Sequence, residues 1–310
     1  MNSDPTDFAV PTLGMQTRAW RYGADAGETL VLVHGFRGDH HGLAGIAARI
    51  VELRPELRVI VPDLPGFGET PAIPDRAHDI ELYGEWLSTF VAAVAPDGAD
   101  VLGHSFGTLV VSAAVRAGLS PRRLILINPI SAPALEGPQA ALTQLAIGYY
   151  RAADVLPERA ARQLLGNPLI VRLMSEVMAK TGDRDLRQWI HGQHAQYFSA
   201  FADSTTLLQA FRASVSHTVA EAAAALTMPT LLIAGDRDDI TPLAKQLELR
   251  RRLRDARLHI VPGVGHLVHY EAVADASGAI VDFLAPLVRS TGRPVSELPA
   301  TLQHTGERTA

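Results

Sequence analysis

The chain contains no cysteine, which excludes disulfides, thiolate metal sites and a cysteine nucleophile. It also lacks any excess of basic residues. Twenty-eight Lys and Arg stand against 33 Asp and Glu, a formal net charge of −5, so a basic face of the size that nucleic-acid binding needs is not expected. Long apolar runs are missing too: stretches such as RLILIN (123–128) are strand-sized, far short of the roughly 20 residues of a membrane span. The opening MNSDPTDFAV has no positive segment leading into an apolar one, so no secretory leader is expected. No internal repeat is found. The 310 residues, 47% hydrophobic and 20% charged, have the composition of an ordinary packed protein. These readings together set the expectations: a cytoplasmic chain, monomer or homodimer, whose partner is a small molecule, with no nucleic acid and no membrane span.

What is present is an alternation. Apolar blocks at 29–33 (TLVLV), 58–62 (RVIVP), 99–103 (ADVLG), 122–128 (RRLILIN), 229–235 (PTLLIAG) and 257–261 (RLHIV) are short and almost continuously apolar, as expected of strands covered on both faces. Segments with helical spacing lie between and after them, at 46–53, 80–94, 106–117, 243–253 and 272–288. Strand, helix, strand in this order predicts right-handed crossovers and a mostly parallel sheet. The more alternating TRAWRY (17–22) is predicted to be an antiparallel edge strand.

The alternation stops between residues 131 and 227, where no strand is read and helical segments are broken at Pro157, Pro168 and Gly182. The expected organisation is a core over 1–130, a helical cap over 131–227, a second core part over 228–288 and a flexible tail over 289–310, with residues 1–10 flexible as well. A helical insertion after a strand end is placed to roof a site, because open α/β sheets bind ligands at the carboxyl ends of their strands.

One strand-to-helix junction reads GHSFG, residues 103–107. It is either a tight turn that needs glycines or an elbow presenting the Ser105 hydroxyl. A serine needs a base within hydrogen-bond reach and an acid to orient that base. Two segments at strand ends offer them: GDRDDITP (235–242), with Asp236, Asp238 and Asp239, and PGVGHLVHYE (262–271), with His266 and His269. The chain order is serine, acid, histidine.

With LVHGF (32–36) and VPDLPGFGET (61–70) added to these three stretches, the chain resembles the α/β-hydrolase superfamily from about residue 14 to 288. The resemblance implies the α/β-hydrolase fold, a mostly parallel central sheet flanked by helices, with a helical cap inserted after its strand β6. It implies Ser105 as nucleophile and His266, which follows a glycine, as base. The pattern G-x-x-D-x-x-x-P, met by Gly235, Asp238 and Pro242, makes Asp238 the acid, with Asp236 in reserve. The backbone amides of Phe36 and Phe106 are implied as the oxyanion hole. Thr108 departs from the family's small residue after the second glycine. Asp63 is expected to order a loop. Arg37, Tyr150, Met178 and Trp189 are the candidate substrate-binding residues. No cofactor and no metal are expected; His191 and His194 have helical i, i+3 spacing but no evident third ligand. The implied activity is hydrolysis of a small to medium, largely apolar carboxylic ester. Cleavage of a carbon–carbon bond in a dienoic diketone-type substrate, perhydrolysis, and a non-catalytic ligand-binding role remain alternatives.

Overall fold

The computed structural model describes residues 5–133 and 140–285. The chain begins with β1 (Thr6–Thr12), β2 (Met15–Gly23) and β3 (Thr29–Val33), and then alternates α1 (His41–Leu53), β4 (Arg58–Pro62), α2 (Ile80–Val94), β5 (Asp100–His104), α3 (Phe106–Arg116) and β6 (Leu124–Ile127). Five helices follow: α4 (Ala140–Asp154), α5 (Glu158–Leu165), α6 (Pro168–Met178), α7 (Arg184–Tyr197) and α8 (Ser204–Ser216). The alternation then resumes with β7 (Thr230–Gly235), α9 (Leu243–Arg252), β8 (Ala256–Val261), α10 (Val268–Glu271) and α11 (Val273–Leu284).

The strands form one eight-stranded sheet in the order β1-β2-β4-β3-β5-β6-β7-β8. β3 to β8 pair in parallel, while β1 and β2 are antiparallel. Alternate residues feed two cores. Val31, Val33, Val101 and Leu124 face one together with Trp86 and Phe90 of α2 and Val110 of α3. Leu30, Leu32, Leu102 and Ile125 face the other with Ile46 and Ile50 of α1 and Ile280 of α11. Burial on both faces is what the continuous apolar runs encode.

Two expectations need correction. No strand was expected before residue 17, yet Thr6–Thr12 forms one and pairs with β2 from Thr6↔Arg21 to Thr12↔Met15. The connection is a two-residue turn in which Leu13 and Gly14 both take positive φ, 44° and 82°, the hairpin geometry that matches strand twist. Consequently 17–22 is not the edge; β1 covers it, and the edge strand carries Pro11, where a missing N–H is tolerated. Two of the three breakers stand at helix starts, Pro157 at the N-cap of α5 and Pro168 opening α6, while Gly182 lies in the connection between α6 and α7. The tail expected over 289–310 lies outside the described residues.

Candidate active site

Ser105 directly follows β5 and precedes α3, at φ 52° and ψ −117°. A non-glycine residue rarely holds positive φ, and it does so where its surroundings over-determine the backbone. Here the Ser105 amide donates to Ile127 O on β6 at 3.0 Å, and the Thr108 hydroxyl donates to Ser105 O at 2.6 Å. The flanking glycines are required by proximity. A Cβ on Gly107 would meet Val33 O at 2.2 Å, and one on Gly103 would meet Gly107 O at 2.5 Å. The larger Thr108 thus supplies a hydroxyl that fastens the turn.

The loops after β7 and β8 bring the other two groups in. His266 Nε2 lies 2.7 Å from Ser105 Oγ, and its Nδ1 lies 2.8 Å from Asp238 Oδ2. With Nδ1–H donating to the carboxylate, Nε2 is left to accept from the hydroxyl. Asp238 is buried and accepts from the Ile240 amide at 2.8 Å, the Thr241 amide at 3.0 Å, the Thr241 hydroxyl and Asn128 Nδ2 at 2.8 Å. Burial pushes its carboxyl upward, but the adjacent His266 and the hydrogen bonds from His266 and Thr241 outweigh that and hold it well below the usual range. Asn128, at φ 46° beyond the end of β6, was not among the sequence candidates. Its only sequence signal is an amide residue closing an apolar strand.

The neighbouring candidates fall elsewhere. Asp236 is exposed and accepts from the Gly263 amide at 2.7 Å. Asp239 pairs with Lys180 at 2.6 Å. His269 lies tilted against His104, ring centroids 4.0 Å apart, and makes no hydrogen bond to the serine among the described residues. Asp63 accepts from the amides of His40 at 2.7 Å and Glu69 at 2.8 Å, and so orders its loop. His191 and His194 turn their Nδ1 atoms to the Ser175 hydroxyl, at 2.6 and 2.7 Å. Asp39, His40 and His41 bring ligand-type atoms within 4.8 Å of one another, but His40 Nδ1 is engaged by Asp63 at 3.0 Å and His41 Nδ1 by Asp39 at 3.1 Å.

Above the serine lies a cavity of about 590 Å³, within the usual size for a small-molecule site. Its wall includes Phe36 and Phe106, and Tyr150, Met174, Met178 and Phe211 from α4, α6 and α8. Phe106 opens α3, so its amide has no partner within the helix and stands at the positive end of the helix dipole. Phe36 lies in the turn after β3, where the Gly38 amide donates to Gly35 O at 3.1 Å. Neither Phe amide donates to a backbone carbonyl outside the regular elements among the described residues. Of the candidate substrate-binding residues, Tyr150 and Met178 line the cavity. Trp189 does not: it stands 48% exposed with its ring edge-on to Tyr270 at 5.2 Å. Arg37 also lines the cavity, yet it is only 3% exposed and its guanidinium is turned to protein acceptors: Phe198 O at 3.0 Å, Tyr150 OH at 3.3 Å and Leu165 O at 2.7 Å. Among the described residues no helix is long and apolar enough to cross a membrane.

Comparison with known proteins adds to this geometry. A family model described as "Alpha/beta hydrolase family" matches residues 30–277. A 2-hydroxymuconate semialdehyde hydrolase of a Pseudomonas species is 27% identical over 92% of this chain and 95% of its own. A pimeloyl-[acyl-carrier protein] methyl ester esterase of Aeromonas hydrophila is 30% identical over 77% of this chain and 89% of its own. Among solved structures, the enol-lactonase of Burkholderia xenovorans superposes with a TM-score of 0.72 at 18% identity, covering 89% of this chain and 99% of that one. At that identity the likeness is one of fold.

Proposed function

Because the chain belongs to the alpha/beta hydrolase family, we propose that it is a serine hydrolase acting on a small to medium, largely apolar carboxylic ester. Ser105 Oγ attacks the ester carbonyl as His266 Nε2 takes its proton. Asp238 holds the imidazole in the required tautomer and stabilises the imidazolium. The amides of Phe36 and Phe106 receive the negative charge that develops on the carbonyl oxygen, each such donor being worth about 100- to 1,000-fold in rate. His266 then protonates the leaving alcohol, and a water it activates releases the acid and restores Ser105. The observation that carries this reading is the unbroken line Ser105–His266–Asp238, with hydrogen bonds of 2.7 and 2.8 Å, at the floor of an apolar-walled cavity.

The test is labelling with a fluorophosphonate, followed by mass mapping and by p-nitrophenyl esters of rising chain length. An adduct on Ser105 in the wild type, absent in a folded Ser105→Ala variant, is the expected result. A folded wild type that neither labels nor turns over any ester sinks the acyl-enzyme reading and leaves a ligand-binding role. A second reading, hydrolysis of a carbon–carbon bond by the same three residues, is favoured by the 2-hydroxymuconate semialdehyde hydrolase relative, which matches over nearly the whole of both chains. Parallel assays of an ester and a dienoic diketone separate the two.

A further inference from the structure

Arg37 follows the proposed oxyanion donor Phe36 and occupies an unusual position. The turn Gly35–Gly38, closed by the Gly38 N–H to Gly35 O bond at 3.1 Å, places Arg37 third of four with φ 62°. A turn with positive φ at that position favours glycine, so something outside the turn holds an arginine there. The side chain is buried, and no carboxylate lies within ion-pair reach of it among the described residues. A buried cation needs compensation. Here it comes from helix ends. Arg37 Nη2 donates to Leu165 O, the last residue of α5, and Nε donates to Phe198 O, the residue that caps α7. Both are carboxyl termini, where unsatisfied carbonyls and the dipole favour positive charge. Nη1 adds Tyr150 OH on α4, and Phe198 and Phe201 rings lie 5.9 Å from the guanidinium carbon. One side chain therefore joins the turn bearing Phe36 to three helices of the stretch between β6 and β7. The Phe36 ring follows the same route, with Tyr150 and Phe211 each 5.9 Å away.

We propose that Arg37 is a positioning residue through which α4, α5 and α7 set the Phe36 amide against the developing oxyanion, so that the oxyanion site is complete only with these helices seated. This rests on the serine-hydrolase reading above. Arg37 then does not recognise an anionic substrate. The fork geometry is what serves, because a lysine presents a single point charge and cannot span both carbonyls in the same way.

The experiment compares Arg37→Gly, Arg37→Met and Arg37→Lys with wild type on a neutral p-nitrophenyl ester and on an ester of similar length carrying a carboxylate. Each protein is also titrated with an alkyl trifluoromethyl ketone, which Ser105 converts to a charged hemiketal in the oxyanion site. Arg37→Gly is the central variant, since glycine accepts the positive φ and the turn itself remains unstrained. The expected result is a fall in kcat of about 10- to 100-fold, part of what a lost oxyanion donor costs. KM stays within about threefold, both esters are affected alike, and the ketone weakens in parallel with kcat/KM. Arg37→Lys falls between. A folded Arg37→Gly with wild-type kcat and ketone affinity overturns the proposal. So does a loss confined to the carboxylate-bearing ester and expressed in KM, which assigns Arg37 to substrate recognition. Should Arg37→Met fail to fold, Arg37→Gly and Arg37→Lys still decide. A wild type without labelling or turnover fails the function reading instead, so the two failures are distinct.

Discussion

At the scale of single residues, two aspartates two positions apart meet different fates because of what surrounds them. Asp238 is buried among the donors of His266, Ile240, Thr241 and Asn128, whereas Asp236 stands in solvent over the Gly263 amide. Asp238→Ala is therefore expected to lower kcat/KM by about 1,000- to 10,000-fold, the scale for removing the group that fixes a histidine tautomer. Asp236→Ala should stay within about twofold of wild type, and steady-state kinetics on one ester checks both. Asn128→Ala removes one hydrogen bond to a buried charge, worth about 1.5 to 3 kcal/mol. About a 10- to 100-fold loss of kcat/KM is expected if Asp238 is displaced by the full amount. That Asp238 lies beside His266 agrees with what the family resemblance implied, since Gly235 and Pro242 bracket it in the family's pattern. Asn128 was not legible, since its partner lies 110 residues away and no local pattern marks the contact. Trp189 misled for a related reason: aromatic character alone does not say which face of a helix meets a cavity.

At the scale of elements, the junction of β5 and α3 packs backbone against backbone. Gly107→Ala places a methyl 2.2 Å from Val33 O; Val33 is held in the central parallel strand β3 and Gly107 in the first turn of α3, directly after the Ser105 turn, so neither withdraws freely. A loss of about 3 kcal/mol or more is expected, in the range reserved for overpacking and backbone conflict. Urea unfolding of the variant measures it, and a loss below about 1 kcal/mol would show that the strand yields. The central strands were legible to within two residues, because burial on both faces leaves a continuous apolar signature. β4 was read at its observed ends, and α2 likewise, its start marked by Asp79 accepting from the Leu82 amide at 2.8 Å. β1 was missed since TDFAVPT mixes polar residues and a proline, and its turn uses Leu13–Gly14 in place of the asparagine or aspartate that signals such hairpins. α1 begins at His41, five residues before its apolar periodicity became readable.

At the scale of the molecule, the concentration of buried histidine sets a prediction about acid stability. Burial, the first cause in each case, depresses His34, His104, His194 and His269, with His104 lowered to about 3 and His194 to about 4. Neighbouring rings press the same way on all four: His40 on His34, His266 on His104, His191 on His194, and His104 with His194 on His269. Asp63 and Asp39 oppose the shift at His34, and Asp238 opposes it at His104. These rings stay neutral in the folded protein at pH values where the unfolded chain, titrating near the ordinary 6.5, takes up protons. Below about pH 6.5 the unfolded state therefore binds more protons, and stability falls as pH falls. Each group contributes at most about 1.4 kcal/mol per pH unit until its folded value is reached. From pH 6.5 to 5, His104 and His194 together account for up to about 4 kcal/mol, a large part of the 5 to 15 kcal/mol typical of a folded protein. His41 works the other way: beside Asp39 and Asp63 its value is raised despite burial, so its contribution is gained on acidification, and its half-exposed position keeps that gain small. Asp238, held low, adds to the loss only below the ordinary carboxylate range near pH 4. Urea unfolding at pH 7.5, 6.5, 5.5 and 5.0 should give a free energy that is nearly flat above 6.5 and declines steeply below it. His194→Gln should flatten that decline by up to about 1.4 kcal/mol per pH unit. A free energy that is level from pH 7.5 to 5.0 would mean that these rings accept protons without unfolding, and that the space around them is open to water.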